Sequence, residues 1–123
     1  MISIEQFSQL LQPHDSSIDL MQYGSGILLL RLSNVEDFRS TYQLSDIELT
    51  FLGVSEIFVN NNSSHTIEME SPDGEMYSLD FTSEHEVKMF IYLEWYQPRR
   101  SVPREIKFKF ESFLLKDLGK TPD

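Results

Sequence analysis

The segment TIEMESPDGEMYSLDF, residues 66–81, carries the most definite fold signal in the sequence. Apolar and polar residues alternate on both sides of its centre, as expected of strands with one buried face. Between the two halves, Ser71-Pro72-Asp73-Gly74 combines a proline that presets φ with an Asp-Gly pair that tolerates left-handed backbone. We therefore predict a β-hairpin that joins strands 66–70 and 75–81.

The same two-residue period recurs over most of the chain. It covers 18–32, interrupted by a glycine turn at 23–26, then 46–59, interrupted at Gly53, and finally 106–111. Residues 87–96 also fit a helix that starts at Ser83, but their aromatic and β-branched side chains favour a strand. Polar composition predicts loops at 33–44 and 60–64, a basic loop at 98–104, and a helical turn at 113–115.

One helix precedes the strands. Between Ser3, a candidate N-cap, and Pro13, apolar residues recur three or four positions apart over 4–11. The predicted fold is α+β and mainly β, with one domain over residues 1–123. Its antiparallel meander of about seven or eight strands curls into a half-barrel or sandwich. We expect the amphipathic amino-terminal helix to cover the aromatic rings of Phe90, Tyr92 and Tyr96.

Residue types that carry chemistry are scarce. The chain has no cysteine, which excludes disulfides, thiol nucleophiles and Cys-ligated zinc. It shows neither a phosphate-binding glycine loop nor a nucleophile elbow around a serine. His14-Asp15 lacks the further converging ligands of a metal site, so we interpret the pair as bonding backbone groups in a turn. We predict that the protein is not an enzyme and holds no metal or cofactor.

Charge is divided unevenly along the chain. Residues 1–86 hold fifteen acidic residues against two arginines, whereas 87–123 hold eight basic residues against five acidic ones. A field of one sign steers oppositely charged partners, so we predict a protein partner. Nucleic acid is not expected because the acidic surface would repel phosphates. With no export signal or long apolar run, we predict a cytoplasmic protein that does not bind a membrane.

Strand alternation places several acidic and aromatic side chains on outward faces. Glu68 and Glu70 share one such face, which makes paired general acid-base chemistry improbable there, and the spacing of a calcium-binding EF-hand is missing. In the alternative in which the helix leaves them uncovered, Tyr92 and Tyr96 would be exposed tyrosines typical of interaction hot spots. The predicted partner-binding residues are Asp46, Glu48, Glu68, Glu70, Asp73, Glu75, Asp80, Tyr92 and Tyr96.

Three stretches resemble the small β-rich immunity proteins of bacterial polymorphic toxin and contact-dependent inhibition systems. They are PHDSSI at 13–18, IELTFLGVSEI at 47–57 and IKFKF at 106–110. The resemblance implies a protein without a catalytic site that neutralises a cognate toxin by occlusion. Many such toxins are nucleases with basic active sites, which an acidic inhibitor can engage quickly.

Two other functions are compatible with the sequence. A secretion chaperone for an effector protein is also small and acidic with an amino-terminal helix, and it would be a homodimer with apolar grooves. A small-ligand-binding or enzymatic β domain would use the inside of the curled sheet, with polar groups converging in a deep pocket. Both a monomer and a homodimer fit the immunity prediction.

Overall fold

The computed structural model describes residues 3–39, 43–69, 71 and 73–122, most of them in antiparallel strands. A single α-helix in this part of the chain, α1, spans Ile4–Leu10. The strands are β1 (Leu11–Gln12), β2 (Ser16–Gly24), β3 (Ile27–Asp37), β4 (Gln43–Leu52), β5 (Ser55–Val59), β6 (Asn62–Ser64), β7 (Asp73–Ser83), β8 (Glu86–Tyr96), β9 (Arg99–Lys109) and β10 (Ser112–Lys120). In the described residues, no helix is both long and apolar enough to cross a membrane.

The strands form one open sheet in the order β10-β4-β3-β2-β7-β8-β9-β5-β6, and β1 pairs with β3. Every pairing is antiparallel. The prediction of a mainly β, antiparallel fold with an amino-terminal helix is therefore confirmed. Ten strands exceed the predicted seven or eight, because segments expected to be loops also pair with neighbouring strands.

Two long, bent strands connect the halves of the sheet. β4 continues into β5 through Gly53, whose φ of 67° provides the bend, and β9 continues into β10 through Phe110 and Glu111. The two bends lie side by side, since the Glu111 N–H donates to the Leu52 carbonyl at 2.8 Å. Consequently β4 pairs with β10 on one side of the two bends, and β5 pairs with β9 on the other side.

The core lies between the inner faces of the two halves. The ring of Phe51, on β4, is 5.1 Å from that of Phe108 on β9 and 6.3 Å from that of Phe81 on β7. The Phe51 and Phe108 rings are fully buried, and the Phe81 ring is half-buried. The outer face of β3, β4 and β10 therefore points away from the outer face of β7, β8 and β9.

Helix α1 closes one side of this core. Ser3 is its N-cap and forms a capping box with Gln6, as the predicted helix start requires. Phe7 is buried 5.6 Å from the Phe81 ring and 6.4 Å from the Phe113 ring. The helix was expected to cover the rings of Phe90, Tyr92 and Tyr96, and this prediction is wrong because these rings lie on the outer face of β8.

The predicted hairpin around Ser71 and Gly74 is also wrong. Residues 66–69 form no strand, and Asp73 already belongs to β7, with the Ser71 hydroxyl donating to its carbonyl at 2.5 Å. Glu70 and Pro72 lie outside the described residues. The strand that pairs along β7 is β8, where Met76 faces Ile91 and Leu79 faces Met89. An eleven-residue partner with an apolar face stabilises β7 more than the short segment before it.

Three predicted loops are largely strands. Residues 33–37 extend β3 through a bulge in which Asn34 has a φ of 60°. At the other end of the expected loop, β4 already starts at Gln43. Residues 40–42 lie outside the described residues. The expected loop at 60–64 is a tight Asn60-Asn61 turn followed by β6. The expected basic loop belongs to β9 from Arg99 onward. Pro103 fits there because β5 pairs with β9 only from Ile106 to Lys109.

Of the remaining two local predictions, one is wrong and the other is confirmed. Residues 113–115 were expected to form a helical turn but belong to β10, because Phe113 enters the core opposite Phe51 of β4. The favoured strand at 87–96 is confirmed as β8. One face of β8 is buried, and the other is half-buried or exposed.

Candidate functional site

Acidic and aromatic side chains meet on the outer face of the sheet, where β7 begins and β8 ends. The strand register places Asp73 opposite Glu94 and Glu75 opposite Tyr92. Asp73, Glu75 and Glu94 border an open cleft of about 380 Å³, together with neighbours from β9, from β2 and from the turn before β2. Tyr92 lies opposite Glu75 but does not line the cleft. Its lining residues are Asp15, Ser17, Asp73, Gly74, Glu75, Glu94, Tyr96 and Arg99. The term acidic-aromatic face is used below for Asp73, Glu75, Tyr77, Tyr92, Glu94 and Tyr96.

Hydrogen bonds orient two of the carboxylates. The Tyr96 hydroxyl donates to Asp73 Oδ2 at 2.8 Å, and the Gly74 N–H donates to Asp73 Oδ1 at 2.9 Å. The Ser101 hydroxyl donates to Glu94 Oε1 at 2.9 Å. The hydrogen bond to Asp73 raises the pKa of Tyr96, so its hydroxyl remains protonated and acts as a donor at neutral pH.

Exposed aromatic rings border the same carboxylates. Tyr77 and Tyr92 form an edge-to-face pair with centroids 6.0 Å apart, and His14 packs 4.9 Å from Tyr77 in the same manner. Tyr77, Tyr92 and Tyr96 are 49%, 37% and 57% exposed. Tyrosines held on strands offer a large contact area with little loss of side-chain entropy on binding.

His14 and Asp15 connect the start of β2 to β7. His14 Nδ1 lies at hydrogen-bonding distance from the Tyr77 carbonyl, and its Nε2 is 3.2 Å from Asp15 Oδ2. The Asp15 N–H donates to the Met76 carbonyl at 2.8 Å. His14 and Asp15 thus bond backbone groups of β7, whereas the sequence predicted bonds to backbone groups of a turn. Within the described residues, no group of three or more His, Cys, Asp or Glu is arranged to hold a metal ion.

Two of the other predicted partner-binding residues lie on the opposite half of the sheet. On β4, Glu48 binds Arg31 at 2.8 Å, while Asp46 accepts a hydrogen bond from the Thr121 hydroxyl at 2.5 Å. Both carboxylates are half-buried. Their charges are therefore used within the protein rather than presented in the cleft.

The remaining predicted residues lie outside the cleft as well. Asp80 faces Lys88 across β7 and β8, and Glu68 borders a smaller cleft of about 100 Å³ together with Arg104. Glu70 lies outside the described residues. The structure thus brings together Asp73, Glu75, Tyr92 and Tyr96, and it separates them from the other candidates.

Sequence reasoning missed four residues of this region. Glu94 could have been found, because alternation along β8 puts it on the same face as Tyr92 and Tyr96. Alternation groups Tyr77 with Leu79 and Phe81, and only the bulge between Met76 and Ser78 turns it outward. Asp15 and Arg99 carried no such signal. Their positions depend on the pairing of β2 with β7 and of β8 with β9, which no local pattern encodes.

The three lysines of β8 and β9 lie close to matching groups. Lys109 Nζ is 2.7 Å from Glu56, and Lys88 Nζ is 3.5 Å from Glu105. Lys107 Nζ lies 5.5 Å from the centre of the Phe58 ring. The cleft differs, since four carboxylates line it together with a single arginine. Its net negative charge and the exposed ring of Tyr96 suit a cationic group, above all a guanidinium, which binds carboxylates and stacks on aromatic rings.

Comparison of the chain with protein-family models, with curated proteins and with solved structures gives no match. The ligand of the acidic-aromatic face is therefore inferred from its own residues.

Proposed function

We propose that this chain is a non-catalytic protein-binding module that holds a basic partner on its acidic-aromatic face. In its biological setting it would be an immunity protein of the bacterial cytoplasm that neutralises a cognate toxin by occlusion. One observation carries the proposal: Asp73, Glu75, Tyr92 and Tyr96 converge on the outer face of two paired eleven-residue strands.

Electrostatics support a basic partner. The chain has a formal net charge of -10, and the cleft concentrates four carboxylates beside Arg99. A field of this sign raises the rate of association with a basic surface and repels acidic competitors. Asp73, Glu75 and Glu94 also stand on paired strands, so little conformational entropy is lost when the partner binds.

The aromatic rings support a protein partner. Tyr77, Tyr92 and Tyr96 expose between 37% and 57% of their surface on the same face as the carboxylates. A partner arginine can pair with Glu75 or Glu94 and stack on a neighbouring ring, which combines two contacts typical of hot spots. A surface of this composition binds tightly once water is excluded from its centre.

The geometry of the cleft supports binding rather than catalysis. Catalysis by a paired general acid and base works best with two groups in different environments, one of them commonly apolar. Here Asp73 and Glu75 are both exposed on an open face, and the Tyr96 hydroxyl donates a hydrogen bond to Asp73. These features favour recognition of a cation over proton transfer.

The immunity assignment has a further support in the sequence. The stretch at 13–18, which resembles immunity proteins, contributes Asp15 to the cleft. The stretch at 47–57 forms the bent strand that holds the two halves of the sheet together. The resemblance therefore involves both the binding face and the scaffold beneath it.

The test uses the protein encoded by the neighbouring reading frame in the source genome, which the proposal expects to be a toxin, and a double charge reversal, Glu75→Lys with Glu94→Lys. We expect association at low salt to slow by about tenfold or more, and its salt dependence to flatten, because the steering field is weakened. Stopped-flow fluorescence over a series of salt concentrations measures both effects.

A matched control separates this face from net charge alone. Glu5→Lys with Glu84→Lys changes the charge equally at exposed positions outside the cleft. We expect its association rate to stay within about twofold of the native value. Equal slowing in both variants, with unchanged thermal unfolding, would refute the proposal.

A further inference from the structure

Aliphatic side chains, two of them exposed and three half-buried, lie on the other outer surface of the sheet, on β2, β3, β4 and β10. The register aligns Ile27 with Leu52, and it aligns Leu29 with Thr50 and Leu114. Ile27 is 43% exposed and Leu114 is 44% exposed. The name aliphatic face is used for Leu20, Ile27, Leu29, Leu52 and Leu114. Contiguous aliphatic groups exposed on a sheet commonly mark an interaction surface.

The charges beside this surface alternate in sign. Arg31 of β3 binds Glu48 of β4 at 2.8 Å, and Lys116 of β10 lies opposite Glu48 on its other side. This row borders the aliphatic face directly, because Leu20 pairs with Arg31. Basic and acidic groups are thus matched here, unlike in the cleft on the opposite surface.

We propose that the aliphatic face binds a second copy of this chain, forming a two-fold symmetric dimer. Such an interface must be complementary to itself, so that each residue and its counterpart exchange places. Aliphatic side chains would pack on aliphatic side chains, and Arg31 of each copy would lie near Glu48 of the other.

The net charge of the chain favours contact with a second copy through the aliphatic face rather than through the surface that carries the cleft. Two copies that each carry a formal charge of -10 repel one another most strongly where their carboxylates are concentrated. Contact through the aliphatic face keeps both clefts far apart and brings a row of alternating charges against its own copy. The clefts also remain open, so self-association and partner binding use different surfaces.

The available area is sufficient for a reversible dimer. Four neighbouring strands, of which β4 has ten residues, present roughly 600 Å² of sheet per copy at ordinary strand spacings. Two such surfaces bury on the order of 1,200 Å², which is the lower end for specific interfaces. We therefore expect a dimer that dissociates on dilution.

The first test measures molecular mass by sedimentation over a wide range of concentrations. We expect the native chain to shift from monomer to dimer as its concentration rises, and Ile27→Glu with Leu114→Glu to remain monomeric. The control, Tyr77→Glu with Tyr92→Glu, adds the same charges on the opposite outer surface and should still form the dimer. A native chain that stays monomeric throughout overturns the proposal, as does a control that loses the dimer while the first variant keeps it.

A second test does not depend on disruptive substitutions. Since the chain has no cysteine, Thr50→Cys places a single thiol at the middle of the aliphatic face. A bismaleimide linker of about 10 Å, the spacing of packed sheets, should join two such chains. Ser101→Cys, on the opposite outer surface, should give little product. Equal or greater linkage through Ser101→Cys overturns the proposal. So does binding of the native monomer to lipid vesicles or another protein through this face in the absence of linkage.

Discussion

At the scale of single residues, Asp37 shows how a charge is stabilised inside this sheet. Its side chain is only 3% exposed, and Arg39 Nη2 lies 2.6 Å from Oδ2. The Ser45 hydroxyl donates to the same oxygen at 2.7 Å. Arg39 also reaches Asp117 at 2.9 Å, so the network joins β3, β4 and β10. The hydrogen bond from Arg39 holds the pKa of Asp37 well below its usual range, although burial opposes the shift.

This network predicts a loss of stability in acid. Because the pKa of Asp37 is lower in the folded protein, its stabilising effect is complete above about pH 4, the pKa of an unfolded aspartate, and is lost as pH falls further. We expect Asp37→Asn to lower the free energy of unfolding by roughly 3 kcal/mol at neutral pH. Urea unfolding from pH 7 to pH 2 should show a smaller acid-dependent loss in the variant. A variant as stable as the native protein at pH 7 would contradict this role.

Sequence patterns did not reveal Asp37. Polar residues around it predicted a loop at 33–44, since an aspartate ordinarily marks a solvent-exposed position. Its burial depends on Arg39 and Ser45, and the latter is brought close only by the pairing of β3 with β4. A charge that is neutralised through tertiary contacts leaves no periodic signal.

At the scale of elements, the bend between β4 and β5 sets the arrangement of the sheet. Gly53 has a φ of 67°, and a Cβ added there would lie 2.5 Å from side-chain atoms of Glu111. Residues other than glycine adopt this backbone conformation at a cost. The flexible Glu111 side chain can move away, so the backbone supplies most of the penalty.

We predict that Gly53→Ala lowers the free energy of unfolding by about 1 to 2 kcal/mol. Gly24→Ala is the matched control, because no atom lies within 4 Å of a Cβ added at Gly24. We expect the control to change stability by less than about 0.5 kcal/mol. Denaturant midpoints measure both variants, and equal losses would show that the bend imposes no special requirement.

Elements with a strong local pattern were predictable, and those defined by their neighbours were not. Alternation identified β4 and β7, apolar residues three or four positions apart identified α1, and aromatic content identified β8. The predicted pairing of β7 with residues 66–70 was wrong. The turn sequence at Ser71-Pro72-Asp73-Gly74 favours that pairing locally, but β8 is a longer partner and pairs with β7 instead. Alternation also predicted the second half of β9, whereas proline and arginine in its first half indicated a loop, and a short apolar run in β10 indicated a helical turn. Pairing with β8 and β4 imposes strands on both segments.

At the scale of the whole molecule, the uneven charge of the sequence does not produce one continuous acidic surface. On one half of the sheet, Asp46 and Glu48 are bonded to other side chains of the protein. On the other half, Asp73 and Glu75 lie in the cleft. Alternation placed Tyr92 and Tyr96 on one face of their strand, but Asp73 was predicted in a turn. Glu75 lies on the outer face, away from Leu79, because of the bulge between Met76 and Ser78. The convergence of the two tyrosines with Asp73 and Glu75 depends on the register between β7 and β8, which the sequence does not display.

Net charge also predicts how the protein responds to salt. A chain with twenty acidic and ten basic residues repels itself when compact, and screening by added salt relieves that repulsion. We expect the free energy of unfolding to rise by on the order of 1 kcal/mol between low and moderate sodium chloride. Urea titrations at several salt concentrations provide the measurement, and a steady fall in stability would show that attractive ion pairs dominate.

The pairing of β4 with β10 has a consequence for how quickly this sheet can assemble. Phe113 meets Phe51 across two strands that are distant in the chain, with β5 to β9 between them. Contacts of such high contact order require closure of a long loop before they contribute, so folding is expected on the order of milliseconds to seconds. Until β10 arrives, one edge of β4 remains unpaired and able to recruit a strand from another chain.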